Sequence, residues 1–312
     1  MSMIDRDRTA QVALGEPPPA GQEDERGTSL WRGAFQRLAR NPVAILGALI
    51  VLVFVTVALL ADVIAPYQPA TSEWVNQITP SDVPGPSEEH VLGLDSLGSD
   101  LLTQLLFGAR QSLIIGVVST TIGLFFGSLL GLAAGALGGW VDTVVMRGVD
   151  ILLSIPSLLL AVSVAALLGR SSLSVMIAIS AAQVPIFARL LRGSLLAQRS
   201  ADYVLASISL GLRKRTVVLS HMLPNSIGPV IVQATLVLAT AIIEVAALSY
   251  LGLGQADPAV AEWGRMLVKA QNRLETDPQL ALLPGACIAV TALGFTLLGE
   301  SLREALDPKF RR

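Results

Sequence analysis

Cysteine is nearly missing from this sequence: Cys287 stands alone inside an apolar run. A single thiol excludes a disulfide framework or a thiolate metal cluster within one chain, and it reads as a small apolar filler. Lysine occurs only at positions 214, 269 and 309, and none follows a glycine-rich phosphate loop, so a P-loop nucleotide site is excluded. The two histidines, His90 and His221, lie far apart in the chain, and no metal ligands cluster around either. No nucleophile can be paired with a base, so no catalytic residue is assigned. Charge is scarce too, at 15% of residues against about 25% in a soluble domain. No nucleic-acid partner is expected, and any ATP used must be handled by another chain.

What fills the space is apolar: 52% of residues, with a mean hydropathy of +0.63. This composition predicts an all-α protein of the lipid bilayer. Six windows, free of charge apart from Glu244 in the fifth, approach or exceed the roughly 20 residues needed to cross the hydrocarbon. They are Pro42 to Ala61, a segment within Gln111 to Val141, Ile151 to Gly169, Ser171 to Ala188, about Asn225 to Leu251, and about Leu280 to Gly299. Asn41 is placed to cap the first, with Pro42 at its first helical position. Only Arg170 separates the third from the fourth, which predicts a tight hairpin. Residues 1–29 are polar and contain Pro17, Pro18 and Pro19, so they resemble a disordered tail rather than a cleavable signal.

Sorting the 22 Lys and Arg residues among the connections orients the chain. Seventeen fall in alternate connections that include both tails and the segment 189–215, whereas Arg110, Arg170, Arg265, Lys269 and Arg273 occupy the other side. Both termini and that segment are therefore expected in the cytoplasm. The expected divisions are a partly disordered tail at 1–40, a first membrane helix at 41–65, an external loop at 66–106, a core of five further spans at 107–302 with a cytoplasmic loop at 194–224, and a tail at 303–312. The external loop is acidic, with Glu73, Asp82, Glu88, Glu89, Asp95 and Asp100, and is long enough for a soluble partner to dock there.

The stretch Ala201 to Pro224 lies between two spans yet carries Asp202, Arg213, Lys214, Arg215 and His221, so it must face water. Tyr203, Ala206 or Ser207, Leu210 and Leu212 recur at roughly helical spacing before Gly211 breaks the pattern. A short amphipathic helix, a hinge and a second short helix are predicted, with a new element starting at Pro224. Such a hook is suited to touching another protein.

Within the spans, Gly123, Gly127, Gly131 and Gly135 repeat every four residues and mark a face for close helix approach, either within the chain or against a second subunit. Pro156 and Pro185 predict kinks. Ser154, Ser163, Gln183 and Gln233 are uncharged polar groups that could line a path for a polar solute or join helices to one another. Glu244 is an ionisable residue within the fifth span; a hydrogen bond near the outer helix end and a contact with a solute are both open to it.

Several motifs now converge. Leu205-Ala206-Ser207, Gly211 and Met222-Leu223-Pro224 resemble the cytoplasmic loop of ABC-importer permeases whose pattern begins Glu-Ala-Ala; Leu205 replaces the leading Glu and Ser207 the second Ala. His90 to Asp95 with Gly98 and Asp100, Gly108 to Leu113, Gly138 to Asp142, Met146-Arg147, Asp150 to Leu152, Leu248 to Gly254, Trp263-Gly264 and Leu302 to Pro308 are similar to the C-type permeases of dipeptide and oligopeptide importers. Ser99 stands where that family usually has Arg. The resemblance covers about residues 35 to 310.

It implies the type I ABC-importer permease fold, with six transmembrane helices and a cytoplasmic coupling helix, in a bacterial inner membrane. The implied partners are a homologous B-type permease, two ATPase subunits that hold ATP and Mg, and an extracytoplasmic substrate-binding protein. Tyr203, Leu205, Ala206, Ser207, Leu210, Gly211, Leu212 and Arg213 would then touch the ATPase. Asp95, Asp100 and Trp263 would meet the binding protein, and the cargo would be a peptide. Nickel and glutathione importers share these motifs, so another small solute is an alternative. A membrane scaffold or receptor subunit whose hook recruits a cytosolic protein is an alternative of a different class.

Overall fold

The structure, a computed structural model, describes residues 30–79, 83–257 and 259–306. Residues 1–29 of the expected N-terminal tail, residues 307–312 of the C-terminal tail and Asp82 lie outside the described residues. Among the described residues the regular structure is helical, apart from an isolated antiparallel bridge between Leu94 and Asp100. Five helices are long and apolar enough to cross a membrane, and a bent pair supplies a sixth crossing if counted as one span.

A short helix α1 (Leu30–Leu38) leads to α2 (Pro42–Ile64), capped as expected by Asn41, whose Oδ1 accepts from the Val43 and Ala44 amides. Most of α2 is exposed apolar surface, while small residues at Ala44, Gly47, Ala58 and Ala61 are buried. The α3 helix (Leu101–Leu137) starts ten residues before the charge-free window at Gln111. The difference comes from two charges that are locally satisfied. Asp100 caps the helix through Thr103, and Arg110 donates to the Ala58 carbonyl (2.7 Å) and to Asp62 on α2 (2.8 and 3.1 Å). At 1.5 Å per residue this helix is roughly 55 Å long, so it projects well beyond a hydrocarbon layer of about 30 Å.

The expected third span is broken. Helix α4 (Gly139–Leu153) meets α5 (Ser157–Leu168) at an angle of 92°. Pro156 lacks an amide hydrogen and cannot continue the hydrogen-bond ladder, and Ser154 closes α4 by bonding back to the Ile151 carbonyl at 2.6 Å. A tight turn at Gly169 (φ +87°) then leads into α6 (Ser172–Gln198), capped by Ser171. Pro185 lies within α6, which continues as one helix on both sides of it.

The glycine repeat of α3 packs inside the chain. An added Cβ at Gly127 would lie 2.5 Å from the Val184 carbonyl oxygen, and one at Gly131 would lie 2.5 Å from that of Ala188, both on α6. This α3–α6 contact is the most extensive between helices of the chain. The hook helix α7 (Asp202–Ser209) follows, then α8 (Lys214–Tyr250), α9 (Trp263–Ala270) and α10 (Gln279–Leu306). No new element starts at Pro224: α8 runs from Lys214 through a π-helical turn at Val217–Met222, which takes in the extra residue without a break.

Candidate functional site

Helix α7 turns one small face inward and leaves the rest uncovered. Val204 is buried against a cluster that includes Phe187, Leu195, Val217 and Met222. Leu205, Ile208 and Leu210 point outward, with 50%, 56% and 81% of their surface exposed. A contiguous apolar patch of this kind on a water-facing segment marks a protein contact. The Tyr203 hydroxyl donates to Gln198 Oε1 at 2.6 Å, and Ser207 and Ser209 bond back to the carbonyls of Tyr203 and Leu205. Ala206 is exposed on the same helix.

The helix ends in a Schellman turn. Gly211 sits at φ +79°, its amide donates to the Ile208 carbonyl, and the Leu212 amide donates to that of Ser207 at 3.2 Å. Arg213, Lys214 and Arg215 follow on the open surface. Ile208, outside the expected contact set, shares this exposed face, about one turn after Leu205.

Arginines near the end of α6 tie it to α4 and α3. Arg192 grips Asp142 with two bonds (2.5 and 2.7 Å), Arg189 pairs with Asp150 at 2.5 Å, and Arg199 donates to the Gly135 carbonyl at the end of α3. These bonds hold α4 and the end of α3 against the last turns of α6, just before α7 begins in the chain.

The four polar residues expected along a path sit in different surroundings. Gln183 is buried where α6 meets Gly123 of α3. Ser163 is exposed on α5 and bonds to the Leu159 carbonyl. Ser154 marks the break before α5. Gln233 opens onto a cleft of about 660 Å³ lined also by Leu153, Ile186, Arg189, Leu190 and Ser194. Glu244, six residues before the end of α8, accepts from the hydroxyl of Ser157, the first residue of α5, at 3.1 Å, just after that break.

At the other end, the three residues expected to meet a binding protein are interior. Asp100 caps α3 and lies 3.0 Å from His90 Nδ1, while the His90 ring meets Trp74 edge-on and Tyr67 at a tilt. Asp95 accepts from the Leu97 and Ser99 amides and pairs with Lys269 at 3.0 Å, joining the 66–106 segment to α9. Trp263 has no exposed surface: its Nε1–H donates to the Leu105 carbonyl, and Gly108 leaves room for its ring. The correction is physical, since buried side chains build the loop surface rather than form it. Beside them Glu262 caps α9 through the Gly264 amide, and burial pushes its carboxyl up against the opposing pull of the Ser249 hydroxyl.

Residues 127–312 match the family described as "Binding-protein-dependent transport system inner membrane component". The chain belongs to this family. Residues 29–81 match the N-terminal TM domain of oligopeptide transport permease C. Among relatives of this permease, the dipeptide transport system permease protein DppC of Alkalihalophilus pseudofirmus is 40% identical over 95% of this chain and 94% of its own length. The di/tripeptide permease DppC of Pseudomonas aeruginosa is 41% identical over 89% of this chain and 91% of its own length. The glutathione permease GsiD of Escherichia coli is 38% identical over 96% and 97%. A solved inward-facing structure of the MetNI methionine ABC transporter shares the fold, with a TM-score of 0.54 at 17% identity, covering 66% of this chain and 98% of that one. The permease is thus a multi-pass membrane subunit of a transport system.

Proposed function

We propose that this chain is the C-type permease of an ATP-driven, binding-protein-dependent importer of di- or oligopeptides. It forms the translocation pathway with a homologous B-type permease. Two ATPase subunits hold ATP and Mg below, and an extracytoplasmic binding protein delivers cargo from outside. The complex resides in a bacterial inner membrane with both termini of this chain in the cytoplasm. The 66–106 loop and the 252–279 loop face outward, and their exposed surfaces meet the binding protein while Asp95, Asp100 and Trp263 hold them in shape.

The observation that carries this reading is α7, a helix with an uncovered apolar face, closed by Gly211 and packed through Val204 against Phe187 and Leu195 of α6 and Val217 and Met222 of α8. ATP binding closes the two ATPases, which displaces the hooks and switches the pathway from inward to outward access. With Leu205 in place of an acidic residue, the face offered to the ATPase is apolar, and a less polar cleft is expected there. The peptide cargo is supported by the dipeptide and di/tripeptide relatives, and the glutathione relative keeps a modified tripeptide within range.

The test is reconstitution of this chain with a B-type permease, the ATPases and the binding protein in proteoliposomes. ATP-dependent accumulation of labelled alanyl-alanine is expected. Accumulation of nickel without peptide, or failure of ATPases and second permease to co-purify with the chain, contradicts the reading.

A further inference from the structure

Glu244 is a carboxylate on a membrane-crossing helix, and among the described residues no Lys or Arg forms an ion pair with it. A charge left against lipid is costly, so such a residue faces protein or a watered cavity and requires a partner. Its neighbour here is Ser157, at the start of α5 where the span has just turned through 92°. Broken backbone at membrane depth is tolerated only where it is buried in protein or lines a water-filled cavity.

The remainder of α8 points the same way. Gln233, Thr240 and Glu244 are seven and four residues apart, so with 3.6 residues per turn they fall on one stripe of an otherwise apolar helix. The stripe opens at Gln233 into the cleft that also contains Leu153, at the end of α4, and Arg189. Arg189 is already neutralised by Asp150, which leaves Glu244 as the unmatched charge on this face among the described residues.

We infer that the break between α4 and α5, together with the Gln233–Thr240–Glu244 stripe, is this chain's wall of the translocation path, and that Glu244, held by Ser157, receives the ammonium group of the passing peptide. The inference rests on the peptide-import reading. A zwitterionic peptide brings the cation that Glu244 lacks, and Ser157 fixes the carboxylate toward it. Gln233 and Thr240 supply uncharged hydrogen bonds further along.

The experiment compares wild type, Glu244→Gln and Ser157→Ala in the reconstituted complex, reading labelled alanyl-alanine uptake separately from ATP hydrolysis stimulated by loaded binding protein. Glu244→Gln keeps the hydrogen bond to Ser157 but not the charge. It is expected to leave stimulated hydrolysis within twofold while uptake falls about tenfold, equivalent to about 1.4 kcal/mol of lost interaction. Ser157→Ala is expected to lower uptake by a smaller factor, with assembly intact. Uptake by Glu244→Gln within twofold of wild type overturns the inference. So does loss of the second permease on purification of that variant, which assigns Glu244 to a cation of the partner subunit. Wild-type complex that hydrolyses ATP yet takes up no dipeptide overturns the peptide reading itself, and the inference with it.

Discussion

The amide of Leu212 donates to the carbonyl of Ser207 at 3.2 Å, and Gly211 between them holds the left-handed conformation that makes this bond possible. A Cβ added at Gly211 would meet nothing within 4 Å, so its requirement is conformational and not steric. The turn sets the angle between α7 and α8, and under the proposed coupling role it would set the direction in which a push on Leu205 and Ile208 is transmitted.

Replacing Gly211 by Val is accordingly expected to cost about 1–2 kcal/mol locally, the penalty of a β-branched residue at positive φ. The complex assembles, basal ATP hydrolysis persists, and uptake falls at least tenfold. Parallel hydrolysis and uptake assays on one proteoliposome preparation check this; uptake equal to wild type removes the hook from the coupling path.

The glycine stripe makes a different demand. Gly127→Leu would drive a side chain into the Val184 carbonyl oxygen and Phe187 Cβ, 2.5 and 2.6 Å from its own Cβ, so an overpacking cost of about 1–3 kcal/mol or more is expected. Gly148 on α4 has open space around it, and Gly148→Ala is expected to be neutral or slightly stabilising. Thermal unfolding of the two variants in detergent separates the cases.

Much of this was legible from local chemistry. Asn41-Pro42 announced the start of α2, and the hook was visible as a charged interruption ended by a glycine. The misread features were non-local. The run Ile151 to Gly169 reads as one span because hydropathy does not register a bend; the kink expected at Pro156 is there, but as a 92° break, sharper than the proline alone announced. Asp100 resembles a docking carboxylate until Thr103 and His90 are seen to occupy it, and Trp263 resembles an exposed aromatic until Gly108, distant in sequence, opens a slot for it. The glycine stripe gave a face without its partner, because α6 could be identified only in three dimensions.

Glu262 supplies a pH dependence outside the membrane spans. Its carboxyl is raised above the ordinary glutamate range by burial, so the folded loop binds a proton more readily than the unfolded one. Its stabilising contribution is present in full below the ordinary value and is lost as pH rises through the raised one. Hydrogen exchange of the α9 amides, corrected for intrinsic rates, is expected to show protection falling across that interval in wild type and level in Glu262→Gln. Identical profiles in the two proteins contradict the assignment.

The most direct measurement places a single cysteine at Ile208, in a chain whose Cys287 has been changed to Ser, and applies a short bifunctional thiol cross-linker to membranes containing the whole complex. Capture of an ATPase subunit, weakened or strengthened by ATP, is the expected result. Absence of any ATPase adduct in a complex that still transports, or capture of the extracytoplasmic binding protein instead, contradicts the coupling role of α7.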